Sequence, residues 1–236
     1  MASSGRRRQV GAFGSRPRSS AALLERALIE TLAFIIAGYL AGSLPFGYWV
    51  VRATRGVDIR TVGSGNIGAT NVWRTFGPRY GIPVILLDVA KGFAPALVAT
   101  LAAGHVAGAL AGGAAMLGHW RPLFLGFARG GKMVATCGGA LFGLAPLVGL
   151  VGLLVWIALF AVTRYASVAS ILAAASLPLT ALLLGEPWPV LVFAGAAALG
   201  VLVLHRANLA RLRAGTETRV QLRTKREPLA PGKPLT

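Results

Sequence analysis

Residues 81–118 run apolar for 38 residues, broken only by the charges of Asp88 and Lys91 and by His105. A run that long and that poor in charge has few ways to fold. At 1.5 Å per residue a single helix of that length far exceeds the roughly 30 Å of a bilayer's hydrocarbon core. Gly104-His105 interrupts it, so the spacing predicts a helical hairpin, with Ala- and Gly-rich arms suited to close packing in lipid. The whole chain is in keeping with this. Of 236 residues 55% are hydrophobic and 13% charged, and the mean hydropathy is +0.67, the profile of an integral membrane protein.

The remaining apolar segments fall at 28–51, 134–163, 168–185 and 188–204. The 30-residue run 134–163 reads as one tilted helix or two short ones, because Pro146 sits in its middle. Parity favours two. There are then about seven transmembrane helices, an all-α polytopic membrane fold, and the polar regions 52–80, 119–133, 164–167 and 205–236 share one side. Those regions hold 17 of the 24 Lys and Arg residues, whereas the opposite turns hold none. The positive-inside rule places the basic side in the cytoplasm, with the six N-terminal arginines in conflict. The net charge of +17 is therefore read as membrane orientation, not as a nucleic-acid footprint. Residues 1–26 are expected to be a disordered basic tail, since the opening arginines are not followed by a cleavage site of the A-x-A type.

Against this apolar background the polar loops stand out. GSGNIGATNVWR, residues 63–74, combines glycines, which let backbone N–H groups converge on an anion, with the hydrogen-bonding groups of Ser64, Asn66, Thr70 and Asn71. Gly65 lies within the turn, and Arg74 closes the stretch with a guanidinium fork suited to phosphate. Neither a Walker A loop nor a dinucleotide fingerprint is present. The competing reading is a plain surface loop. A second loop repeats the logic: Gly130-Gly131-Lys132 puts bare backbone and a cation at the start of an apolar helix. His119, nearby, reads as a donor or as an interfacial packing residue. In RYASVAS, Ser167 and Ser170 share a helix face, for a site or for interhelical hydrogen bonds. His205 and Asn208 share another face, and the arginines beyond them suit lipid headgroups. Asp88 and Lys91, one helix step apart, read as a mutual ion pair or as functional intramembrane charges. Cys137, the one cysteine, reads as a small core residue. No His, Cys, Asp or Glu cluster has metal-ligand spacing, and no Ser-His-Asp signature occurs. The residues alone point to a membrane-embedded handler of phosphates, enzyme or transporter.

Taken in order, SLPFGYWVVRATRGVDIRTVGSGNIGATNVWR, LLDVAKG, GHWRPLFLGFARGGKMVAT, RYASVAS and HRANLARLRAGTE resemble the motif series of the acyl-phosphate:glycerol-3-phosphate acyltransferases, the bacterial PlsY family, over about residues 40–217. The resemblance implies a seven-helix enzyme that moves a fatty acyl group from acyl phosphate to the 1-hydroxyl of glycerol 3-phosphate, giving lysophosphatidic acid and phosphate. It implies no cofactor, an active site on the cytoplasmic face of the bacterial inner membrane, and an upstream enzyme that forms acyl phosphate. Residues 27–205 would form the acyltransferase domain and 206–236 a basic cytoplasmic tail. Carried over residue by residue, Ser64 and Arg74, with the backbone between them, hold phosphate, and Lys132 engages it too. Ser170 with Ser167 lines the same pocket, and His205 with Asn208 positions glycerol 3-phosphate. Two positions depart from the pattern: Met133 stands where glycine usually follows the lysine, and Arg121 where an aromatic is common. The base that takes the hydroxyl proton is either His205 or a substrate phosphate oxygen. The rival reading, a transporter of phosphate-bearing anions, calls for polar groups on both membrane faces, and the outer turns here are nearly uncharged.

Overall fold

The computed structural model describes residues 20–220. Among them the chain is helical, with no strand: α1 Ser20–Gly42, α2 Phe46–Arg55, α3 Ala69–Phe76, α4 Pro78–Trp120, α5 Val134–Leu144, α6 Pro146–Thr163, α7 Ala166–Leu183, α8 Trp188–Leu204 and α9 Arg206–Arg213. The expected tail is outside the described residues only up to position 19; α1 begins at Ser20, ahead of the apolar run. An Arg26–Glu30 ion pair, 2.7 Å and one turn apart, supports that first stretch. The C-terminal tail is described only as far as Val220.

The 38-residue run folds back where its composition said it must. Gly104 takes φ 82°, a left-handed conformation that a Cβ would disfavour, and splits α4 into two arms. The arms pack antiparallel. Ala96 on the first faces Gly108 and Gly112 on the second, and Asp88 faces His119. The run 134–163 is two helices broken at Ala145, with Pro146 in the first turn of α6, where its missing N–H costs nothing.

The first apolar segment differs from its expected form. It is not one helix over 28–51: α1 stops at Gly42, Ser43–Pro45 form a break, and α2 carries on to Arg55. Pro45 has no N–H to continue the ladder, and Ser43 Oγ folds back onto Tyr39 O at 2.7 Å. Among the described residues four helical segments are long and apolar enough to cross a membrane, with α1–α2 and the whole of α4 each counted once, or five if the bent α8–α9 pair counts as one span. The 11-residue α5 is shorter than a crossing by itself.

Packing is that of small residues in lipid. Gly38 and Gly42 of α1 lie directly against the carbonyls of Ala111 and Ala115 of α4, with no room for a side chain. Large apolar side chains such as Leu32, Ile36, Leu101, Val162 and Leu183 face outward, as a hydrocarbon solvent allows. The core knits Cys137, Leu141, Leu144, Leu177, Phe193 and Val201 together across α5, α7 and α8.

Candidate active site

The starts of α4, α5 and α7 and the end of α8 lie at one end of the bundle, and the polar loops meet there around a cavity of about 370 Å³. Ser64, Asn66, Thr70, Asn71, Arg74, Lys132, Ser167, Ser170, His205 and Asn208 all line it. Gly65 and Gly131 do not reach the wall. They shape the loops that do: Gly65 adopts φ 67°, and Gly131 lies flat against the His119 ring.

The two asparagines of the glycine loop build it rather than face outward. Asn71 is 4% exposed. Its Oδ1 accepts from Ser64 N at 2.9 Å, and its Nδ2 donates to Val62 O at 3.1 Å and Asn66 O at 2.9 Å. Asn66 Oδ1 accepts from Gly68 N at 2.8 Å, while its Nδ2 donates to Gly130 O at 3.0 Å and ties the first loop to the second. The side-chain amides of both asparagines are engaged within the loops, and Ser64, Thr70 and Arg74 lie beside them on the cavity wall. Arg74 Nη2 donates to Thr218 O at 2.6 Å, and its Nε is buried with no partner among the described residues. A half-buried guanidinium whose buried Nε donor is idle is ready for an anion. Burial lowers its pKa from the usual value, with Glu217 opposing and Arg211 adding to the effect.

Lys132 reaches across from the second loop. Its Nζ donates to Asn208 Oδ1 at 2.7 Å. Burial, then the neighbouring Arg211, pull the Lys132 pKa down to about 8, the electrostatic condition of a cation waiting for a counterion. Asn208 Nδ2 in turn donates to Glu217 Oε1 at 2.7 Å, which also accepts from Ser167 Oγ at 2.8 Å. Arg211 Nε donates to Glu217 Oε2 at 2.7 Å. Burial pushes the Glu217 carboxyl up, but the hydrogen bonds from Asn208, Ser167 and Arg211 outweigh it and hold the group below its ordinary range. Glu217 is thus a site residue to which the sequence reading assigned no role. Its signal was there: it is the one acidic residue in a stretch, 205–219, that holds four arginines.

His205 caps α8 at the bend into α9, and its Nδ1 lies 2.8 Å from Val201 O. A carbonyl only accepts, so Nδ1 carries the hydrogen in the neutral ring, and Nε2 keeps its lone pair. Ser170 Oγ donates to Ala166 O at 2.7 Å and accepts from Trp156 Nε1 at 3.1 Å. Trp156 was read only as part of an apolar run, yet a buried indole N–H needs a partner, and here it marks where the polar end of the cavity changes character. Beyond it the wall is Phe160, Leu153, Gly152, Gly149, Phe142, Leu141 and Leu177. One continuous cavity therefore joins cationic loops to an apolar branch along α6.

This fold and site define a polytopic membrane protein in which a pocket bearing Arg74 and Lys132 opens into an apolar groove. Comparison with known proteins makes the class specific. Residues 32–215 match the family model described as glycerol-3-phosphate acyltransferase. The glycerol-3-phosphate acyltransferase of Desulforudis audaxviator is 45% identical over 198 residues, covering 83% of this chain and 100% of that protein. That of Aquifex aeolicus is 45% identical over 193 residues, covering 81% and 100%. The crystal structure of PlsY (YgiH), an integral membrane glycerol 3-phosphate acyltransferase, superposes in its glycerol 3-phosphate form with a TM-score of 0.76 at 44% identity, covering 80% of this chain and 94% of that one. Its lysophosphatidic acid form gives 0.76 at 42%. The chain belongs to the glycerol-3-phosphate acyltransferase family and is an integral membrane acyltransferase.

Proposed function

We propose that this acyltransferase takes its fatty acyl group from acyl phosphate and places it on the 1-hydroxyl of glycerol 3-phosphate, at the cytoplasmic face of a bacterial inner membrane crossed seven times. The observation that carries the reading is the single cavity with a cationic end and an apolar branch. Both substrates bear phosphate, and one bears an alkyl chain. The chain would lie along α6 past Trp156, leaving the acyl carbonyl near Ser170 and Lys132.

In this reading the acceptor's hydroxyl oxygen bonds to the acyl carbonyl carbon. The carbon–oxygen bond to phosphate breaks, and inorganic phosphate leaves with the electron pair. Acyl phosphate brings its own good leaving group, so no covalent enzyme intermediate is needed. Arg74 and Lys132 hold phosphate and stabilise the charge that develops on the departing group. Ser64 and Ser170 add hydrogen bonds; Ser170 would release Ala166 O to donate to a ligand. His205 Nε2 takes the hydroxyl proton. Asn208 orients Lys132, and its own amide is held by Glu217. Binding both substrates in one pocket makes the encounter effectively unimolecular.

The test is direct. Purified protein in detergent is incubated with acyl phosphate and glycerol 3-phosphate, and release of phosphate and formation of lysophosphatidic acid are followed. Acylation from a thioester donor but not from acyl phosphate would overturn the donor assignment.

A further inference from the structure

Three side chains of α4 are buried beside the site and take no part in the chemistry above. Asp88 is 2% exposed, Lys91 4% and His119 3%. Lys91 Nζ lies 2.8 Å from Asp88 Oδ1, so the pair read from the sequence forms. The same ammonium donates to Leu44 O at 2.9 Å, in the break between α1 and α2, and sits over the Phe46 ring at 5.6 Å. The fold-back at Gly104 brings His119 to the same carboxylate, with Nδ1 3.8 Å from Asp88 Oδ1. That separation is beyond hydrogen-bond reach. Asp88 Oδ1 is already engaged by the Lys91 ammonium, whereas His119 Nδ1 has no hydrogen-bond partner among the described residues. A buried donor thus faces a buried acceptor, and both residues line the cavity.

On its other edge the His119 ring lies against the second loop. A Cβ at Gly131 would overlap the ring at Nε2 and Cε1. The backbone is joined as well: Gly131 N donates to His119 O at 2.9 Å, and Gly130 N to Trp120 O at 2.8 Å. Lys132 is the next residue. An ion pair buried next to lipid is costly to desolvate and adds little net stability, so its use is to specify an arrangement. Here the arrangement runs by direct polar contact from Leu44 O through Lys91 to Asp88, and by close approach from Asp88 to the His119 ring and Gly131.

We propose that Asp88, Lys91 and His119 are positioning residues that fix the Gly130–Lys132 loop, and through it the placing of the Lys132 ammonium on substrate phosphate. Lys91 anchors Asp88 to the α1–α2 break, Asp88 orients the His119 ring, and the ring sets the path of the backbone at Gly131. The inference rests on the reading of Lys132 as a phosphate ligand.

The experiment compares full-length wild type, Asp88→Asn, His119→Ala, Gly131→Ala and the pair His119→Ala/Gly131→Ala in detergent. The same Asp88→Asn change is also made in a Lys132→Ala background. Steady-state rates with acyl phosphate and glycerol 3-phosphate are read alongside calorimetric binding of glycerol 3-phosphate and thermal unfolding. Asp88→Asn and His119→Ala should each lower kcat/KM about tenfold or more, divided between KM and kcat in the same sense as Lys132→Ala divides it. Because they act through Lys132, Asp88→Asn should cost less than about twofold once Lys132 is alanine. Removing the ring should make room at Gly131, so the double variant should outperform Gly131→Ala alone. Full additivity in the Lys132→Ala background overturns the proposal. So does a loss of activity that simply tracks a loss of thermal stability, or no recovery in the double variant. If wild type binds glycerol 3-phosphate without turning over acyl phosphate, the donor assignment falls, and binding by the same variants still decides the positioning role.

Discussion

Lys132 Nζ donates to Asn208 Oδ1 at 2.7 Å, across a separation of 76 residues in sequence. Because the amide's other end donates to Glu217, Asn208 meets the ammonium with its oxygen and cannot turn. Asn208→Ala should release Lys132 and leave Glu217 short of a donor. A hydrogen bond to a charged group contributes about 1.5–3 kcal/mol, so kcat/KM should fall roughly 10- to 100-fold at an average of 1.4 kcal/mol per decade. Asn208→Asp should keep an acceptor for Lys132 but set a second carboxylate against Glu217, and should fare no better than alanine. Steady-state kinetics of both variants check this; an unchanged alanine variant would remove Asn208 from the site.

The pH profile should carry a limb from Lys132. Its pKa is depressed by burial to about 8, so the free enzyme loses this cation as pH rises through that value. kcat/KM should therefore decline above about pH 8. Bound phosphate favours the ammonium and raises the pKa, so the limb in kcat should move to higher pH. Lys132→Arg stays charged throughout, and its kcat/KM should show no such limb, whatever its absolute rate. A limb that survives in the arginine variant belongs to another group.

Met133 holds φ 68° and caps α5, a left-handed residue where the resembled family usually places glycine. A non-glycine residue there costs about 1–2 kcal/mol. The side chain repays it by packing: Met133 is 6% exposed and part of the main core cluster. Met133→Gly loses packing and relieves strain, so activity should change by less than about tenfold, or 1.4 kcal/mol of barrier. Met133→Ala loses packing and keeps the strain. It should unfold at lower temperature than the glycine variant, although alanine is the larger residue. Thermal unfolding in detergent gives the order, and the reverse order would show that backbone strain does not matter there.

Much of this was legible before any coordinates. The run 81–118 is too long for one crossing, so a hairpin followed from its length, and Gly104-His105 marked where it turns. Asp88 and Lys91 stand one helix step apart, and the ion pair that this spacing suggested forms. Arg74 and Lys132 were visible as cations that end glycine-marked loops, and the cavity collects both. What was not legible depends on tertiary partners. Asn66 and Asn71 look identical in sequence to ligand groups, but each is used to fold its own loop. Glu217 acquires its role only when the chain after α9 returns over Ser167 and Asn208. The onset of α1 at Ser20 was not legible because Glu25 and Arg26 separate its first apolar residues from the long apolar run.

The arrangement of the loops predicts a topology. Single cysteines at Gly77, Ala128 and Ala214, in a Cys137→Ala background, should all label from the cytoplasmic side. These positions follow α3, precede Lys132 and follow α9. If seven crossings are right, all three share the basic face. Labelling of any one from the periplasm would break that parity, and the N-terminal arginines would then no longer be the exception.

His205 offers the sharpest test of the chemistry. Its Nδ1 is held by Val201 O, so the neutral ring presents Nε2 to the cavity as a proton acceptor of fixed direction. A base so placed should be worth about 10²–10⁴ in kcat, the usual span for general acid–base catalysis. His205→Ala should lose that factor mainly in kcat. A group that only orients glycerol 3-phosphate would instead show its loss in KM. The two cases differ in where the acid limb falls: burial, with Lys132 adding and the Val201 hydrogen bond opposing, pulls the His205 imidazole down to about 4, whereas a substrate phosphate titrates near pH 6. The alanine variant separates them. If His205 is the base, the limb due to imidazole disappears with the side chain, and the residual rate depends on pH only through the substrate. His205→Gln adds a control, since its amide can fill the space and hydrogen-bond but cannot take a proton at these pH values. It should rescue KM without rescuing kcat. If the acid limb persists unchanged in both variants and kcat falls by less than about tenfold, the proton goes to a phosphate oxygen of the substrate, and His205 is left with positioning alone.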